Sequence, residues 1–393
     1  MKKYIALLLA LVFAVALFSG CGSTTAATTE QPAASGTTQS GSAPAAASTE
    51  SSAPKFKVAY IDFPIADASS QGMYNNAAAV VEAAGGEMVF VEGGSDADET
   101  ITAIESAISA GVAGLMFTPS ADSMLPTVAK LCGDAGVYFA LTFRSINDPE
   151  VKAIVEACPY YAGNTVENEY DAGYYVANLM AEKGIKKVAF ISIQKGDTTA
   201  EAREAGMRDA FAKAGVEVVG ELRSPAQASD AAAAAESWMA TIDGLDGIMM
   251  LSCQTSGVFE ALEDAIVSNN KVGKVFLGSC DFGTDMESSF ENGIAVALCG
   301  GHCMPDRALC SVIVTNAIIG TPLDGGKPVT VVCPFLYLES AADAKAYQDL
   351  ALTGDPLYHI DECQELLLGT GIAKVQEVAD SYSMADLAAR HGG

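Results

Sequence analysis

The sequence predicts an α/β protein made of two doubly wound parallel-sheet lobes, and three observations predict it. From Lys55 onward, short β-branched runs alternate with longer Ala-rich amphipathic runs. The apolar runs carry little polar alternation, the pattern of strands covered on both faces. The alternation comes as two series, divided at Gly163-Asn164-Thr165-Val166-Glu167.

In the first series Val58 to Phe63, Met88 to Val91, Ala113 to Phe117 and Val137 to Phe143 read as strands. Helical patterns over 68–84, 97–110 and 121–135 separate them. In the second, strands near Val188 to Ile193, Val216 to Glu221, Gly247 to Ser252 and Val275 to Gly278 alternate with helical patterns over 166–183, 199–214, 229–242 and 256–269. Strands separated by single helices form parallel sheets with right-handed crossovers. Open sheets of this kind bind beyond the carboxyl ends of their strands. The residues that follow the strands are mostly polar: Asp67, Ser120, Arg144, the stretch from Gln194 to Arg203, Gln254 and Asp281. Two such faces turned toward each other make a cleft.

The 393 residues carry 22 Lys and Arg against 49 Asp and Glu, a formal charge of -27. Nucleic acid is excluded as a partner, because a phosphate backbone needs clustered cations. At the amino end Lys2 and Lys3 precede an apolar run from Tyr4 to Phe18, then Ser19, Gly20 and Cys21. A charged head, a short apolar stretch and small residues before a cut site predict an export signal over 1–20. The run is short for a helix crossing a hydrocarbon core of about 30 Å. Phe18-Ser19-Gly20-Cys21 resembles the lipobox of bacterial lipoproteins, with Phe18 where Leu is usual. That resemblance implies a lipid on Cys21, which anchors the mature chain to the outer face of the cell membrane. After Cys21 the segment to residue 54 is Ser, Thr, Ala, Gly, Pro and Gln, with two Glu and no aromatic residue. It buries too little to offset ordering entropy, so it reads as a disordered tether.

Nine further cysteines follow Cys21, most inside apolar runs such as Val331-Val332-Cys333, where Cys acts as a small hydrophobe. An odd number cannot all pair within the chain. No CxxC occurs, and no metal site or cofactor is expected. The sequence also carries no Gly-x-Ser-x-Gly elbow, no Gly-x-Gly-x-x-Gly, no P-loop and only three histidines (His302, His359 and His391). An enzyme is therefore not expected.

Over about 55–338 the chain resembles the type I periplasmic binding proteins of the ribose- and galactose-binding family. The residues that carry the resemblance are Val58-Ala59-Tyr60-Ile61-Asp62, Gly114-Leu115-Met116-Phe117-Thr118-Pro119, Phe143-Arg144 and Tyr161-Ala162-Gly163-Asn164 with Gly173. Ala200-Glu201-Ala202-Arg203 with Gly206, Gly278-Ser279-Cys280-Asp281 with Gly283, and Met304-Pro305-Asp306 complete the set. The resemblance implies hinge closure of two lobes joined by three crossovers, here near Gly163, Phe282 and Lys327. It divides the chain into a first lobe of 55–163 plus 282–327 and a second of 164–281 plus 328–393, the latter with a C-terminal extension.

It also implies a ligand-binding set. Arg144 and Arg203 fall where the family places guanidinium groups, although Arg144 also suits a salt bridge and Arg203 an ordinary helix-face charge. Asp281 falls where a carboxylate accepts from sugar hydroxyls, with a helix-capping role as the other reading. Asp67, Gln254 and His302 occupy further polar positions of the set, each with a structural reading beside it: a helix cap for Asp67, a loop histidine for His302. Ser69 and Ser70 stand where the family often has stacking aromatics; Phe63 and Tyr74 are nearby, with core packing and a helix-face place as the plain readings.

These features imply a substrate-binding protein of an ABC importer. Its partners would be a sugar or similar small polar solute, the transporter permease and the membrane. A ligand-sensing receptor subunit for a membrane signalling protein is the alternative. An operon containing an importer would favour the first.

Overall fold

The computed structural model describes residues 55–66, 68–93, 96–253 and 255–391. The expected signal, the tether with Cys21, and the candidate ligand residues Asp67 and Gln254 lie outside the described residues.

The first lobe opens with β1 (Lys57–Asp62), α1 (Ala68–Ala83), β2 (Glu87–Glu92), α2 (Ala97–Ser109) and β3 (Gly114–Phe117). It continues through α3 (Leu125–Ala135), β4 (Tyr138–Leu141), α4 (Pro149–Glu156) and β5 (Tyr161–Glu167). The second lobe begins with α5 (Glu169–Glu182), β6 (Lys187–Ser192), α6 (Thr198–Ala214), β7 (Glu217–Arg223) and α7 (Ala228–Thr241). It adds β8 (Gly247–Met250), α8 (Val258–Ser268), β9 (Phe276–Cys280), α9 (Met286–Glu291) and β10 (Ala295–Gly300). Then α10 (Cys303–Ile319) and β11 (Val329–Cys333) return to the first lobe, and β12 (Leu336–Leu338) joins the second. Four helices follow: α11 (Ala341–Ala351), α12 (Ile360–Leu366), α13 (Ile372–Ser381) and α14 (Met384–His391).

The strand orders are β11-β5-β4-β3-β1-β2 and β12-β10-β9-β8-β6-β7, parallel except for β12, which runs antiparallel to β10. Consecutive residues Val58, Ala59, Tyr60 and Ile61 of β1 are all buried, as both-face coverage requires. Each order reverses beside its first strand, between β1 and β3 and between β6 and β8, the switch points where such sheets open a crevice.

The crossovers fall at residue 168, at 301–302 and at 334–335, later in the chain than the expected positions near Gly163, Phe282 and Lys327. The lobe boundaries expected from the resemblance are corrected accordingly. Gly163 is a strand residue paired with Val329; its φ is +138°, and a Cβ there would stand 2.0 Å from the Val329 carbonyl oxygen. The glycine serves close strand approach, not the joint. After Phe282 the chain does not cross: α9 and β10 extend the second sheet, and β11 after Lys327 extends the first. All three crossovers leave from the carboxyl ends of strands (β5, β10 and β11), so the two sheets present those ends to each other across the hinge.

The C-terminal extension was expected on the second lobe. It lies on both. α11 packs on α9 of the second lobe, whereas α12 packs on α1 and α13 on β11 of the first. Gln348 donates to the Thr284 carbonyl on one side, and Asn75 donates to the Gly354 carbonyl on the other. Tyr382 reaches the second crossover, its hydroxyl donating to the Gly301 carbonyl at 2.8 Å. One apolar core runs from Val58 and Val80 of the first lobe to Ile248 and Leu262 of the second, taking in Tyr347, Leu357 and Tyr382 of the extension.

Candidate functional site: a hinge-lined cleft

Each lobe carries a buried arginine beneath the carboxyl ends of its strands. In the first lobe this is Arg307, on the opening turn of α10. Its Nη2 lies 3.1 Å from Asp62 Oδ2 and donates to Thr118 Oγ1 at 3.3 Å, while Nη1 donates to Asp306 at 2.6 Å. Asp62, the last residue of β1, also accepts from the Tyr60 hydroxyl at 2.6 Å and the Phe63 amide at 2.9 Å. Burial pushes the Tyr60 phenol well above its ordinary pKa, so it stays a donor. Asp62 is thus fully occupied, and the chain turns outward to leave Phe63 63% exposed. Core packing, one expectation for Phe63, is not what the structure places there; it is a free ring at the end of β1.

Asp306 uses its other oxygen to accept the Phe143 amide at 3.1 Å. Phe143 has φ +61°, a conformation that costs a bulky residue energy, and this turn sends Arg144 away from β4. Arg144 Nη1 donates to Thr199 Oγ1 on α6, and Nη2 lies 3.8 Å from Asp197, the N-cap of α6. Asn147 donates to Thr198 at 3.3 Å beside it. Arg144 therefore bridges the two lobes, and its side chain is still 22% exposed.

In the second lobe the buried arginine is Arg203. Sequence reasoning placed it at the ligand or on an open helix face; it is 1% exposed and faces neither solvent nor an open cleft. The cause lies in two glycines. A Cβ on Gly173 of α5 would sit 1.9 Å from the Arg203 carbonyl oxygen, and one on Gly206 of α6 would sit 2.0 Å from the Tyr170 carbonyl oxygen. The two helices therefore touch backbone to backbone, which draws Arg203 under the floor. Its Nε donates to Glu169 at 2.5 Å, and its Nη1 to the Leu251 carbonyl at 3.1 Å and to Asp281 Oδ2 at 2.8 Å. Burial pushes the Glu169 carboxyl above its ordinary pKa, with the Arg203 charge opposing it.

Asp281 follows β9 with φ +94°; its amide donates to the Cys299 carbonyl at 2.7 Å and its carbonyl accepts from Ser279 at 2.7 Å. It does not cap α9, whose N-cap is Asp285, so the capping reading is set aside. Its side chain is 37% exposed, and Oδ1 has no partner among the described residues.

His302 lies in the second crossover and is 3% exposed, with its ring 5.4 Å from Phe143 and 4.2 Å from Phe335 of the third crossover. Burial, with the charges of Arg203 and Arg307, holds its pKa well below the usual value, so the ring is neutral. Its Nδ1 is buried without a hydrogen-bond partner among the described residues. The structure packs His302 into the hinge instead of exposing it on a loop.

Sequence reasoning missed Asp62, Glu167, Glu169, Asp306 and Arg307 as parts of this floor. Both carboxyl oxygens of Glu167 are buried with no hydrogen-bond partner among the described residues, and burial, with the charges of Asp306 and Glu169, pushes its pKa well above the carboxylate range. A signal for Glu169 existed: it stands four residues before Gly173, as Arg203 stands three before Gly206. Among the described residues no group of side chains is arranged to hold a metal ion. Two surface hollows, of about 640 and 470 Å³, lie away from the carboxyl ends of the strands, beside Phe56 and Leu368 and beside Tyr358 and His391.

The profile of the periplasmic binding protein domain matches residues 62–299, more than half of the chain, and the chain belongs to that family. The family comprises extracytoplasmic solute receptors, not enzymes. Among curated protein sequences none matches. Solved structures of similar fold include an ABC transporter periplasmic solute binding protein from Actinobacillus succinogenes with bound D-allose. It is 13% identical at a TM-score of 0.64, over 75% of this chain and 100% of that one. The periplasmic ribose ABC transporter structure from Conexibacter woesei is 14% identical at 0.63, over 77% and 97%. A solute binding protein from Agrobacterium vitis with bound α-D-tagatopyranose is 17% identical at 0.62, over 77% and 99%.

Proposed function

We propose that this protein captures a sugar or closely related polyhydroxy solute between its lobes and delivers it to the permease of an ABC importer. The observation that carries the reading is Asp281, a carboxylate fixed by a buried arginine through one oxygen and open at the other. Such a group is a directional acceptor for hydroxyls. Arg144 would supply donors from the opposite lobe, and the exposed Phe63 would cover an apolar ring face. Asp67 and Gln254 remain proposed ligand contacts from the loops after β1 and β8. Arg203 and His302, both buried, would support the cleft from below and from the hinge. Solved proteins of this fold bound to D-allose and α-D-tagatopyranose support a sugar as the solute class. The export signal and Cys21 support a lipid anchor at the outer face of the membrane.

A thermal-shift panel of D-allose, D-tagatose, D-arabinose and myo-inositol tests the reading. A solute at about 100 times its Kd stabilises the folded state by about 2.7 kcal/mol. At least one should raise the melting temperature; a flat response across all four counts against the proposal.

A further inference from the structure

We propose that the C-terminal extension is a strap that limits how far the two lobes can part. Hinged proteins move by changing backbone angles at a few crossover residues while each lobe stays rigid. The extension is anchored to both lobes within a short stretch of chain. On the second lobe α11 packs on α9, with the Tyr347 ring edge-on to Phe282 at 4.8 Å and Gln348 donating to the Thr284 carbonyl at 3.2 Å. α11 ends at Ala351, and by Gly354 the chain has reached α1 of the first lobe. There Asn75 donates to the Gly354 carbonyl at 2.7 Å, and the Leu357 amide donates to Asn76 Oδ1 at 2.8 Å. From Ala351 to Gly354 even a fully extended chain reaches only about 11 Å. Parting the two anchors beyond that reach must pull α11 off α9 or strip the buried Leu357 from α1.

Further contacts restrain the same motion. α14 packs on α11, and its Arg390 pairs with Glu362 on α12, the helix that lies on α1, which makes a second bridge between the lobes. Tyr382, 3% exposed, donates to the Gly301 carbonyl in the second crossover at 2.8 Å. Gln376 holds both the amide and the carbonyl of Val332, just before the third crossover. Gly301 has φ +71°, and a turn of the backbone there moves a carbonyl already tied to the extension. The extension thus holds the crossovers as well as the lobes they join. An empty protein with fewer open states keeps a larger share in the closed, binding-competent form, which lowers the apparent Kd for whichever solute the cleft takes.

Small-angle scattering of the ligand-free full chain tests this on a variant with Gly-Ser-Gly-Ser inserted between Thr353 and Gly354, combined with Arg390→Ala. The insertion adds about 13 Å of reach and leaves both anchors intact. The expected result is a larger radius of gyration than that of wild type. A folded variant with the wild-type radius overturns the proposal. Tyr382→Phe removes a single hydroxyl and decides the matter should the insertion prevent folding. Hydrogen exchange in that variant should quicken severalfold at the rim, around Asn147 and Thr198, where the lobes meet. Exchange that quickens only beside Tyr382, or nowhere, overturns the proposal. Neither measurement uses a sugar, so a failure here leaves the solute reading standing, and a failure of that reading leaves the strap.

Discussion

Nη1 of Arg203 donates to Oδ2 of Asp281 across 2.8 Å, and so a fully buried cation on α6 supports a partly exposed anion at the end of β9. The relation fixes how the two residues respond to substitution. A freely exposed cleft carboxylate could be removed without effect on the empty protein. Asp281 cannot, because its loss leaves the buried Arg203 with Glu169 as its one carboxylate partner among the described residues. Breaking a pair buried on both sides costs about 3–5 kcal/mol, and the partial exposure of Asp281 puts this pair below that range. Asp281→Ala should therefore abolish solute-induced stabilisation and also lower the unliganded melt, whereas Asp281→Asn should lower it less. Differential scanning calorimetry with and without sugar measures both effects. An Ala variant whose empty form melts like wild type would contradict the pairing.

The α5–α6 contact permits no added methyl group. Gly173→Ala and Gly206→Ala each place a Cβ about 2 Å from a carbonyl oxygen of the facing helix. The helices must separate, which moves Arg203 away from Glu169. Overpacking of this kind costs about 1–3 kcal/mol and occasionally more. Urea denaturation should show losses at or above the upper end for each variant. A midpoint within error of wild type for either would refute the close approach.

His302 gives the fold a pH dependence of defined sign. Its folded-state pKa lies well below the unfolded value of about 6.5, through burial and the charges of Arg203 and Arg307. The unfolded chain binds this proton below about pH 6.5 and the folded chain does not. The His302 contribution is therefore complete above that pH and is lost as pH falls, by up to about 1.4 kcal/mol per pH unit. Carboxylates also titrate in acid, so the informative quantity is the difference from His302→Gln. Stability measured between pH 7 and pH 5 should fall more steeply for wild type than for the variant. Parallel slopes would show that the ring is not held neutral.

Phe63 offers a substitution whose effects on folding and on binding should separate. The ring is 63% exposed at the end of β1, so Phe63→Ala should change stability by no more than about 0.5 kcal/mol. If the ring covers a sugar face, affinity should fall about tenfold, the size of an aromatic stacking contribution near 1.4 kcal/mol. Titration calorimetry reads the binding loss directly. Unchanged affinity would remove Phe63 from the site.

The lobes were legible in the sequence because their strands are apolar runs buried on both faces and their helices fill the gaps between them. β1 and β6 lie within a residue or so of the expected strands. The crossovers were not legible. Which sheet β11 joins depends on β5, more than a hundred residues earlier, and Gly163 offered a local cue with a different cause. In the site, Asp281 stands out because it directly follows β9, and Arg144 because it closes the apolar run that contains β4. Arg203 was expected at the ligand or on a helix face, and its burial arises from the Gly173 and Gly206 contact, which no local pattern shows. Glu167, Asp306 and Arg307 converge only when three crossovers meet, and no local pattern announces that. The extension's place across both lobes has the same origin, for Gln376 and Tyr382 find their partners at Val332 and Gly301.

The most direct measurement is a crystal structure of the full chain with the sugar that gives the largest thermal shift. The account predicts that the solute lies between the carboxyl ends of the two sheets, hydrogen-bonded to Asp281 Oδ1 and to Arg144. A sugar seated elsewhere, for instance in the hollow beside Phe56 and Leu368, with Asp281 Oδ1 facing only solvent, would contradict it.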